Sequence, residues 1–294
     1  MEHLAFPQPT KDRRELAALQ IMLTQAQKGI AFRALHERKG AFIIPNPWDV
    51  GSARLLAHLG FEALATTSAG YAFSIGKQDN AVGRDAMLAH AAAIAAATDL
   101  PASADLENGF GDAPEDVAET VRLAGKAGLA GCSIEDATQR SDSPIYEIPY
   151  SADRIRAAAE AARALPFAFT LTARAENFLH GRPDLANTIK RLQAYQEAGA
   201  DALYAPGLVS KEEIAAVLNS VDRPVNVLMG LPGSSLNVAD LSAMGVRRIS
   251  VGSLLSRAAY GAFLRAAKEM KERGTFTFAN DAVSFQDLSA MFKT

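Results

Sequence analysis

Two carboxylates stand one residue apart at the end of an apolar run, at Asp105 and Glu107, and a glycine-containing turn follows them. In a β-strand, residues i and i+2 project from the same face, so both carboxylates can point at one ligand. A hard divalent cation such as Mg2+ requires oxygen ligands of this kind. The spacing therefore predicts a metal site at the end of this run.

Further polar side chains end the next two apolar runs. Glu135 ends the run that starts at Gly131, and Arg174 ends the run that starts at Phe167. Polar residues are costly within a sheet, but the C-terminal tips of the strands of a closed parallel barrel converge on one mouth. The sequence thus predicts an active site at that mouth.

Eight apolar runs that could supply such strands alternate with alanine-rich helical patterns along the chain. Most of these runs are continuously apolar, which is typical of parallel strands covered by helices. No Gly-x-Gly-x-x-Gly follows the first run, so an α/β fold of the (β/α)8 TIM-barrel type is favoured over an open doubly wound sheet. The predicted strands are 41–45, 62–67, 101–105, 131–135, 167–174, 201–205, 224–229 and 247–251, and the helices predicted between them include 50–59, 85–97, 114–127, 152–165, 185–198 and 211–218.

The eightfold pattern leaves a segment over at each end of the chain. We predict one domain, 1–294, with an N-terminal helical extension (1–38), the barrel (39–274) and a C-terminal helical tail (275–294). The helical pattern of the extension covers 13–37. An apolar tail does not stay solvated, so we expect it to pack on its own barrel or on a neighbouring subunit. Its large apolar residues are Phe278, Val283, Phe285, Leu288, Met291 and Phe292.

Composition limits the partners that the chain can have. Its 294 residues are 49% hydrophobic and carry a formal net charge of -3, so nothing in the charge balance favours nucleic acid or an anionic membrane. Cys132 is the single cysteine, which excludes a disulfide within the chain and suits a reducing compartment. No apolar run has the length needed to span a bilayer, and we expect a cytoplasmic protein.

Six short motifs follow one another in a fixed order between about Phe32 and Leu255. Together they resemble the isocitrate lyase and phosphoenolpyruvate mutase superfamily. The resemblance implies a (β/α)8 barrel, usually a tetramer whose last helix is exchanged between subunits, and Mg2+ chemistry on 2-oxo acids through an enolate. The motifs are Asn-Pro-Trp-Asp-Val-Gly-Ser-Ala at 46–53, Thr-Ser-Ala-Gly at 67–70, Asp79, Asp-Leu-Glu-Asn-Gly-Phe-Gly at 105–111, Ser-Ile-Glu-Asp at 133–136 and Thr-Ala-Arg at 172–174.

The resemblance also implies how the metal is held. Asp105 is the expected direct ligand of Mg2+, with Mn2+ as the alternative ion. Asp79, Glu107 and Glu135 are expected to hold the ion through its water molecules, which suits Mg2+ because it dehydrates reluctantly. Asp79 and Glu135, together with Arg174, form the predicted catalytic set.

The substrate is expected to be a small 2-oxo acid or dicarboxylate. The turn at Ser68, Ala69 and Gly70 offers small side chains and amides to its carboxylate, and Arg174 can add a charge-assisted contact. Asn226, in the seventh strand, is expected to face the same substrate. The assembly is predicted to be a homotetramer or at least a dimer.

Departures from the better-known relatives narrow the reaction. Isocitrate and methylisocitrate lyases carry a Lys-Arg/Lys-Cys-Gly-His loop after the Glu-Asp pair, whereas 137–144 reads Ala-Thr-Gln-Arg-Ser-Asp-Ser-Pro here. The lysine and asparagine of phosphonate-cleaving relatives are not evident either. The sixth strand ends in Tyr-Ala-Pro-Gly at 204–207, without the Pro-Glu of the lyases. The loop 138–149 lies where a lid would close over the mouth.

These departures favour a reaction with few chemical requirements. Decarboxylation of oxaloacetate leads, because it needs an enolate trap and solvent can return the proton. Cleavage of a substituted malate, of the dimethylmalate or methylisocitrate type, is the first alternative, and phosphonopyruvate-type P–C chemistry remains another. A hypothesis of a different class is a catalytically silent barrel that binds an oxo acid.

Overall fold

The structure is a computed structural model and describes residues 23–293. Each of the eight predicted apolar runs contains a β-strand, so the strand predictions are confirmed. The strands are β1 (Phe42–Ile43), β2 (Leu64–Ala65), β3 (Ala102–Asp105), β4 (Gly131–Glu135), β5 (Thr170–Arg174), β6 (Ala202–Tyr204), β7 (Val225–Leu228) and β8 (Arg248–Ser250).

All eight strands are parallel, and each pairs with its neighbours in chain order from β2 to β8, after which β8 pairs with β1. The two edges of this sheet meet at the C-terminal ends of β1 and β2, where the Ala65 amide donates to the Pro45 carbonyl at 3.1 Å. The sheet therefore curls round on itself, and the predicted (β/α)8 barrel is confirmed.

Eleven α-helices lie within the described residues. They are α1 (Gln25–Glu37), α2 (Val50–His58), α3 (Ser68–Ser74), α4 (Arg84–Ala97), α5 (Pro114–Lys126), α6 (Ile148–Arg163), α7 (Leu185–Glu197), α8 (Lys211–Leu218), α9 (Val238–Met244), α10 (Leu254–Arg273) and α11 (Phe285–Met291).

The predicted helices are present, with three differences. Helix α6 begins four residues before the predicted start, because a proline in its first turn suits a helix start. Helices α3 and α9 were not predicted, and each has only seven residues. Of the predicted helical pattern over 13–37, α1 covers 25–37, and residues 1–22 lie outside the described part of the chain. The division of the chain into extension, barrel and tail stays a prediction.

The two faces of the strands differ in chemistry. Outward-facing residues such as Ile134 and Leu171 are fully buried against the surrounding helices and form the main apolar core. The interior of the barrel is more polar, since Ser103, Ser133 and Arg248 line a cavity within it. This interior therefore has polar groups to offer to a bound molecule.

Helix α1 contributes a second, smaller cluster. Phe32 and His36 pack edge to face at 4.7 Å between ring centroids, and His36 packs in the same way on Phe42 of β1 at 5.1 Å. Only 4% of the surface of His36 is exposed, so it is a packing residue. The extension thus carries part of the core.

The C-terminal tail is helical in part, with a 3-10 helix at Thr277–Asp281 followed by α11. The end of the tail packs on its own barrel, where Met291 and Phe292 face α2 and α4. The rest is less covered: Phe276 is 65% exposed and Phe285 is 87% exposed. No helix of the described residues combines the length and apolar character that crossing a bilayer needs.

Candidate active site

Asp105 and Arg174, at the ends of β3 and β5, form an ion pair at the mouth of the barrel. Arg174 Nη1 donates to Asp105 Oδ1 at 2.8 Å. The other oxygen of the carboxylate, Oδ2, accepts from the Ser68 hydroxyl at 3.0 Å and from the Ser68 amide at 3.2 Å. The two side chains are only 17% and 13% exposed, so water screens this pair weakly. The predicted convergence of strand ends is therefore present.

The Arg174 guanidinium contacts two further carboxylates. Its Nη2 lies 3.0 Å from Glu135 Oε2, and its Nε donates to Glu176 Oε1 at 2.8 Å. The guanidinium also lies over the Tyr204 ring, 5.2 Å from its centroid. Three carboxylates and a ring thus fix the orientation of one arginine.

Glu176 was not predicted as a site residue, although its signal was present in the sequence. It stands two residues after Arg174, which is the same spacing that drew attention to Asp105 and Glu107. The Glu176 amide donates to Asp136 Oδ1 at 2.8 Å, and Arg191 Nη1 donates to Asp136 Oδ2 at 2.9 Å. Asp136 therefore supports the site from the side of the sheet that faces α7.

Glu107, Asn80 and Gln139 form a hydrogen-bonded group beside the ion pairs. Gln139 Nε2 donates to Glu107 Oε2 at 3.0 Å and lies 3.3 Å from Asn80 Oδ1. All three residues have a positive φ, between 50° and 62°, and residues other than glycine rarely adopt this backbone conformation. Strained backbone of this kind concentrates at functional sites, so the cluster supports a functional role for the mouth.

Burial, together with an excess of carboxylates over cations, raises the pKa values of Glu107, Glu135 and Asp79. Burial, with the charges of Asp105 and Asp79 in addition, raises the pKa of Glu107 to about 8. The pKa of Glu135 also lies well above its usual range, chiefly because of burial. Asp79 lies open at the rim, yet partial desolvation and the charge of Asp105 raise its pKa as well. A bound cation would offset this excess of negative charge.

The residues fit a hard cation held largely through water. Glu107 Oε1 is buried and has no hydrogen-bond partner in the described structure. Carboxylate oxygens are ligands that Mg2+ accepts, and Mg2+ usually keeps several of its waters. No three His, Cys, Asp or Glu side chains within residues 23–293 are grouped as direct ligands of one metal. The prediction of a single direct ligand, Asp105, does not require such a group, and it stays a prediction.

The predicted substrate turn at Ser68, Ala69 and Gly70 is instead the first turn of helix α3, and Thr67 caps it. The Ser68 amide already donates to Asp105, and the Gly70 amide donates to Thr67 Oγ1 at 3.2 Å. The expectation of freely accessible amides is therefore wrong for these two. A Cβ on Gly70 would come 2.5 Å from the Thr67 methyl, which explains the glycine.

Asn226 lies deeper than the expected contact with substrate implies. Its Nδ2 donates to Ser250 Oγ at 2.9 Å, and its Oδ1 accepts from Arg248 Nε at 3.0 Å. Only 1% of Asn226 is exposed, and both ends of its amide are bonded to the neighbouring strand β8. In this structure Asn226 holds Arg248, which was not predicted as a site residue.

A cavity of about 180 Å3 runs from Asp105 and Arg174 into the barrel. Its wall includes Ser68, Ala69 and Asp79 near the mouth, and Arg248 at depth. The volume lies below the roughly 300 to 1,000 Å3 of most ligand pockets. The cavity suits a molecule of a few carbon atoms.

Known proteins resemble this chain over most of its length. The phosphoenolpyruvate phosphomutase family model matches residues 32–271. A crystal structure from Burkholderia cenocepacia J2315, described only as a lyase/mutase, is 64% identical, with a TM-score of 0.90 over 92% of this chain and 97% of that one. The oxaloacetate decarboxylase of Pseudomonas aeruginosa PAO1 is 30% identical over 83% of this chain and 84% of its own.

A second solved structure carries a metal and a small diacid. Phosphonopyruvate hydrolase in complex with oxalate and Mg2+ is 25% identical, with a TM-score of 0.80 over 92% of this chain and 95% of that one. The range matched by the family model contains all eight strands of the barrel. The chain belongs to the phosphoenolpyruvate phosphomutase family, within the isocitrate lyase and phosphoenolpyruvate mutase superfamily of lyases and mutases.

Proposed function

We propose that the protein is a Mg2+-dependent carbon–carbon lyase acting on a small 2-oxo acid, and that its leading reaction is the decarboxylation of oxaloacetate. The observation that carries this proposal is the small cavity that has Asp105 and Arg174 at its mouth. A cavity of about 180 Å3 suits a four-carbon acid better than a tricarboxylate.

In this proposal, Arg174 binds the substrate and the carboxylates of the site bind the metal. Arg174, fixed by Asp105, Glu135 and Glu176, can donate to a substrate carboxylate or oxo group without changing its own orientation. Asp105, with Asp79, Glu107 and Glu135 around it, would hold the ion. Mg2+, when bound, would supply positive charge next to the oxygen on which negative charge develops. The P. aeruginosa decarboxylase and the Mg2+-containing relative support both parts of the assignment.

The loop after β4 supports decarboxylation over reactions that need a general acid. Gln139 donates to Glu107, and Arg140 pairs with Asp112 at 2.7 Å outside the cavity. The loop supplies no lysine, cysteine or histidine. An enolate formed by loss of CO2 can take its proton from solvent, so the reaction does not require such a group. The loop 138–149 remains our proposed lid.

A substrate panel tests the proposal. The protein is incubated with oxaloacetate, 2,3-dimethylmalate, methylisocitrate and phosphonopyruvate, each with Mg2+ or with EDTA, and products are followed by NMR. We expect pyruvate from oxaloacetate at a rate well above the protein-free Mg2+ control, and no such excess in EDTA. Turnover of a malate or a phosphonate instead would replace the leading reaction, and no turnover of any acid would favour a binding protein.

A further inference from the structure

Arg248, the first residue of β8, forms the floor of the cavity and is held there by three neighbours. Its Nε donates to Asn226 Oδ1 at 3.0 Å, and its Nη1 donates to Thr172 Oγ1 at 2.9 Å. The same Nη1 lies 3.5 Å from His36 Nε2. The guanidinium therefore has a fixed orientation before any ligand binds.

All three of these neighbours are uncharged. His36 Nδ1 lies 2.8 Å from the Phe32 carbonyl, which can only accept a hydrogen bond, so Nδ1 carries the proton and Nε2 is the acceptor. Burial, with the charge of Arg248 in addition, lowers the pKa of His36 to about 3, so the ring is neutral near pH 7. Asn226 and Thr172 do not ionise. No neighbour offsets the positive charge.

The two arginines of the cavity differ in this respect. Arg174 has three carboxylates within 3.0 Å, but Arg248 forms no ion pair within residues 23–293. Only 5% of Arg248 is exposed. Buried charges are normally paired, because taking a lone charge out of water is energetically costly. An unpaired arginine at the floor of a cavity therefore calls for an anion.

The guanidinium retains a donor for that anion. Its Nη2 donates to no acceptor in the described structure. This nitrogen is not one of the fully buried unpaired atoms, so part of its surface is open. Arg248 also lines the cavity that reaches Asp105 and Arg174. A ligand whose first anionic group lies at the mouth can therefore direct a second one to the floor.

We propose that Arg248 forms a second anion subsite that takes the distal carboxylate of a 2-oxo dicarboxylate. This assignment rests on the proposed function for the oxo-acid end of the ligand, which would lie at Asp105 and Arg174. It narrows the substrate class from 2-oxo acids in general to those with a second carboxylate. It also makes Arg248 a determinant of specificity, with Asn226 and Thr172 as its positioning residues.

Binding of two probes of different length to Arg248→Met tests the subsite. Both probes are measured in the presence of Mg2+. 3,3-Difluorooxaloacetate carries a distal carboxylate, whereas oxalate has two adjacent carboxylates and no distal one. By calorimetry, we expect the Kd of the four-carbon probe to rise at least tenfold and that of oxalate to change less than about twofold. Equal changes for both probes, or a change for neither, would overturn the proposal. Arg248→Lys, which keeps the charge, should retain part of the discrimination.

Asn226→Asp provides an independent test that does not remove the arginine. The new carboxylate would lie next to Arg248 Nε and supply the missing counter-charge. We expect a higher melting temperature together with weaker binding of 3,3-difluorooxaloacetate and unchanged binding of oxalate. The matched control is Asn177→Asp. Asn177 is 2% exposed and bonds to Thr188, not to Arg248, so the buried carboxylate should lower the melting temperature without changing the ratio of the two Kd values. A stabilised Asn226→Asp with an unchanged ratio would show that Arg248 is structural.

The proposed reaction and the subsite can fail separately. If oxaloacetate is not decarboxylated but the Kd ratio depends on Arg248, the reaction is wrong and the subsite stands. If oxaloacetate is decarboxylated and the ratio is the same in Arg248→Met, the subsite is wrong and the reaction stands. A wild-type protein that binds neither probe in the presence of Mg2+ would contradict the subsite as well.

Discussion

The two arginines of the cavity show how much a residue's role depends on its partners. Arg174 has three carboxylate partners, and Arg248 has only neutral ones. The first is therefore a fixed donor within a negative environment, and the second is an open positive site. Both are arginines on barrel strands, and the sequence alone does not show whether their partners are charged or neutral.

The sequence predicted the site residues that lie at strand ends. It did not predict those whose position depends on how the strands pair. Asp105, Glu135 and Arg174 could be found because each ends an apolar run, and parallel strands end at a common edge. Arg248 stands at the start of its strand, where a charged residue is typical of a solvated junction. Its position inside the barrel depends on the register with Asn226, which the apolar pattern does not fix.

Replacing Arg174 with lysine tests the fork-shaped contact. A lysine keeps the charge but cannot reproduce the planar array of donors that contacts Asp105, Glu135 and Glu176. We expect Arg174→Lys to lower kcat/KM for oxaloacetate at least tenfold. The matched control is Arg122→Lys, whose exposed ion pair with Glu119 contributes little. Steady-state constants equal to those of wild type would show that Arg174 is structural.

At the scale of elements, periodicity predicted the long helices and failed for the short ones. Helix α3 has seven residues and includes Gly70, which is typical of a turn. Helix α9 is equally short, although Asn237 and Asp240 form a capping box that is readable in the sequence. For a helix of two turns, the cap carries more information than the apolar pattern.

Helix α1 introduces a pH dependence through His36. Folding lowers the pKa of His36 from 6.5 to about 3. Between pH 6.5 and pH 3, His36 therefore binds a proton in the unfolded chain but not in the folded one. Stability is therefore lost as the pH falls from about 6.5 towards 3, by up to about 1.4 kcal/mol per pH unit from this group.

His36→Gln removes this titration while keeping a polar side chain. We expect urea unfolding at pH 7, 6 and 5 to show a smaller loss of stability towards low pH in the variant than in wild type. The comparison isolates His36, because the carboxylates titrate in both proteins. Parallel stability curves over this range would mean that folding does not lower the pKa of His36.

At the scale of the whole molecule, much of the uncovered apolar surface lies on α10 and the tail. Phe263 and Leu264 of α10 are 65% and 53% exposed, and Phe285 of the tail is 87% exposed. The sequence predicted an apolar tail but not which part its own barrel would cover. This surface supports the proposed oligomer, in which the tail packs on a partner subunit.

Deleting 275–294 tests this assembly. Burial of each large apolar side chain contributes roughly 1.5 to 3 kcal/mol, so the deletion should lower both the oligomeric mass and the melting temperature. Light scattering and calorimetry measure the two. Phe285→Ser, a single change at the most exposed of these side chains, should shift both in the same direction. An unchanged mass and melting temperature in the truncated protein would exclude exchange of the tail.

In the proposed function, Asp105 anchors a Mg2+ ion on which turnover depends. Its most direct test is the rate of oxaloacetate decarboxylation as a function of Mg2+ concentration, corrected for the protein-free reaction, in wild type, Asp105→Ala and the surface control Asp153→Ala. Wild type and the control should show the same saturable dependence on Mg2+. Asp105→Ala should show none while keeping the circular dichroism of the fold, because a carboxylate at the mouth of a barrel serves the site more than the core. Normal Mg2+-dependent turnover in Asp105→Ala would contradict the account.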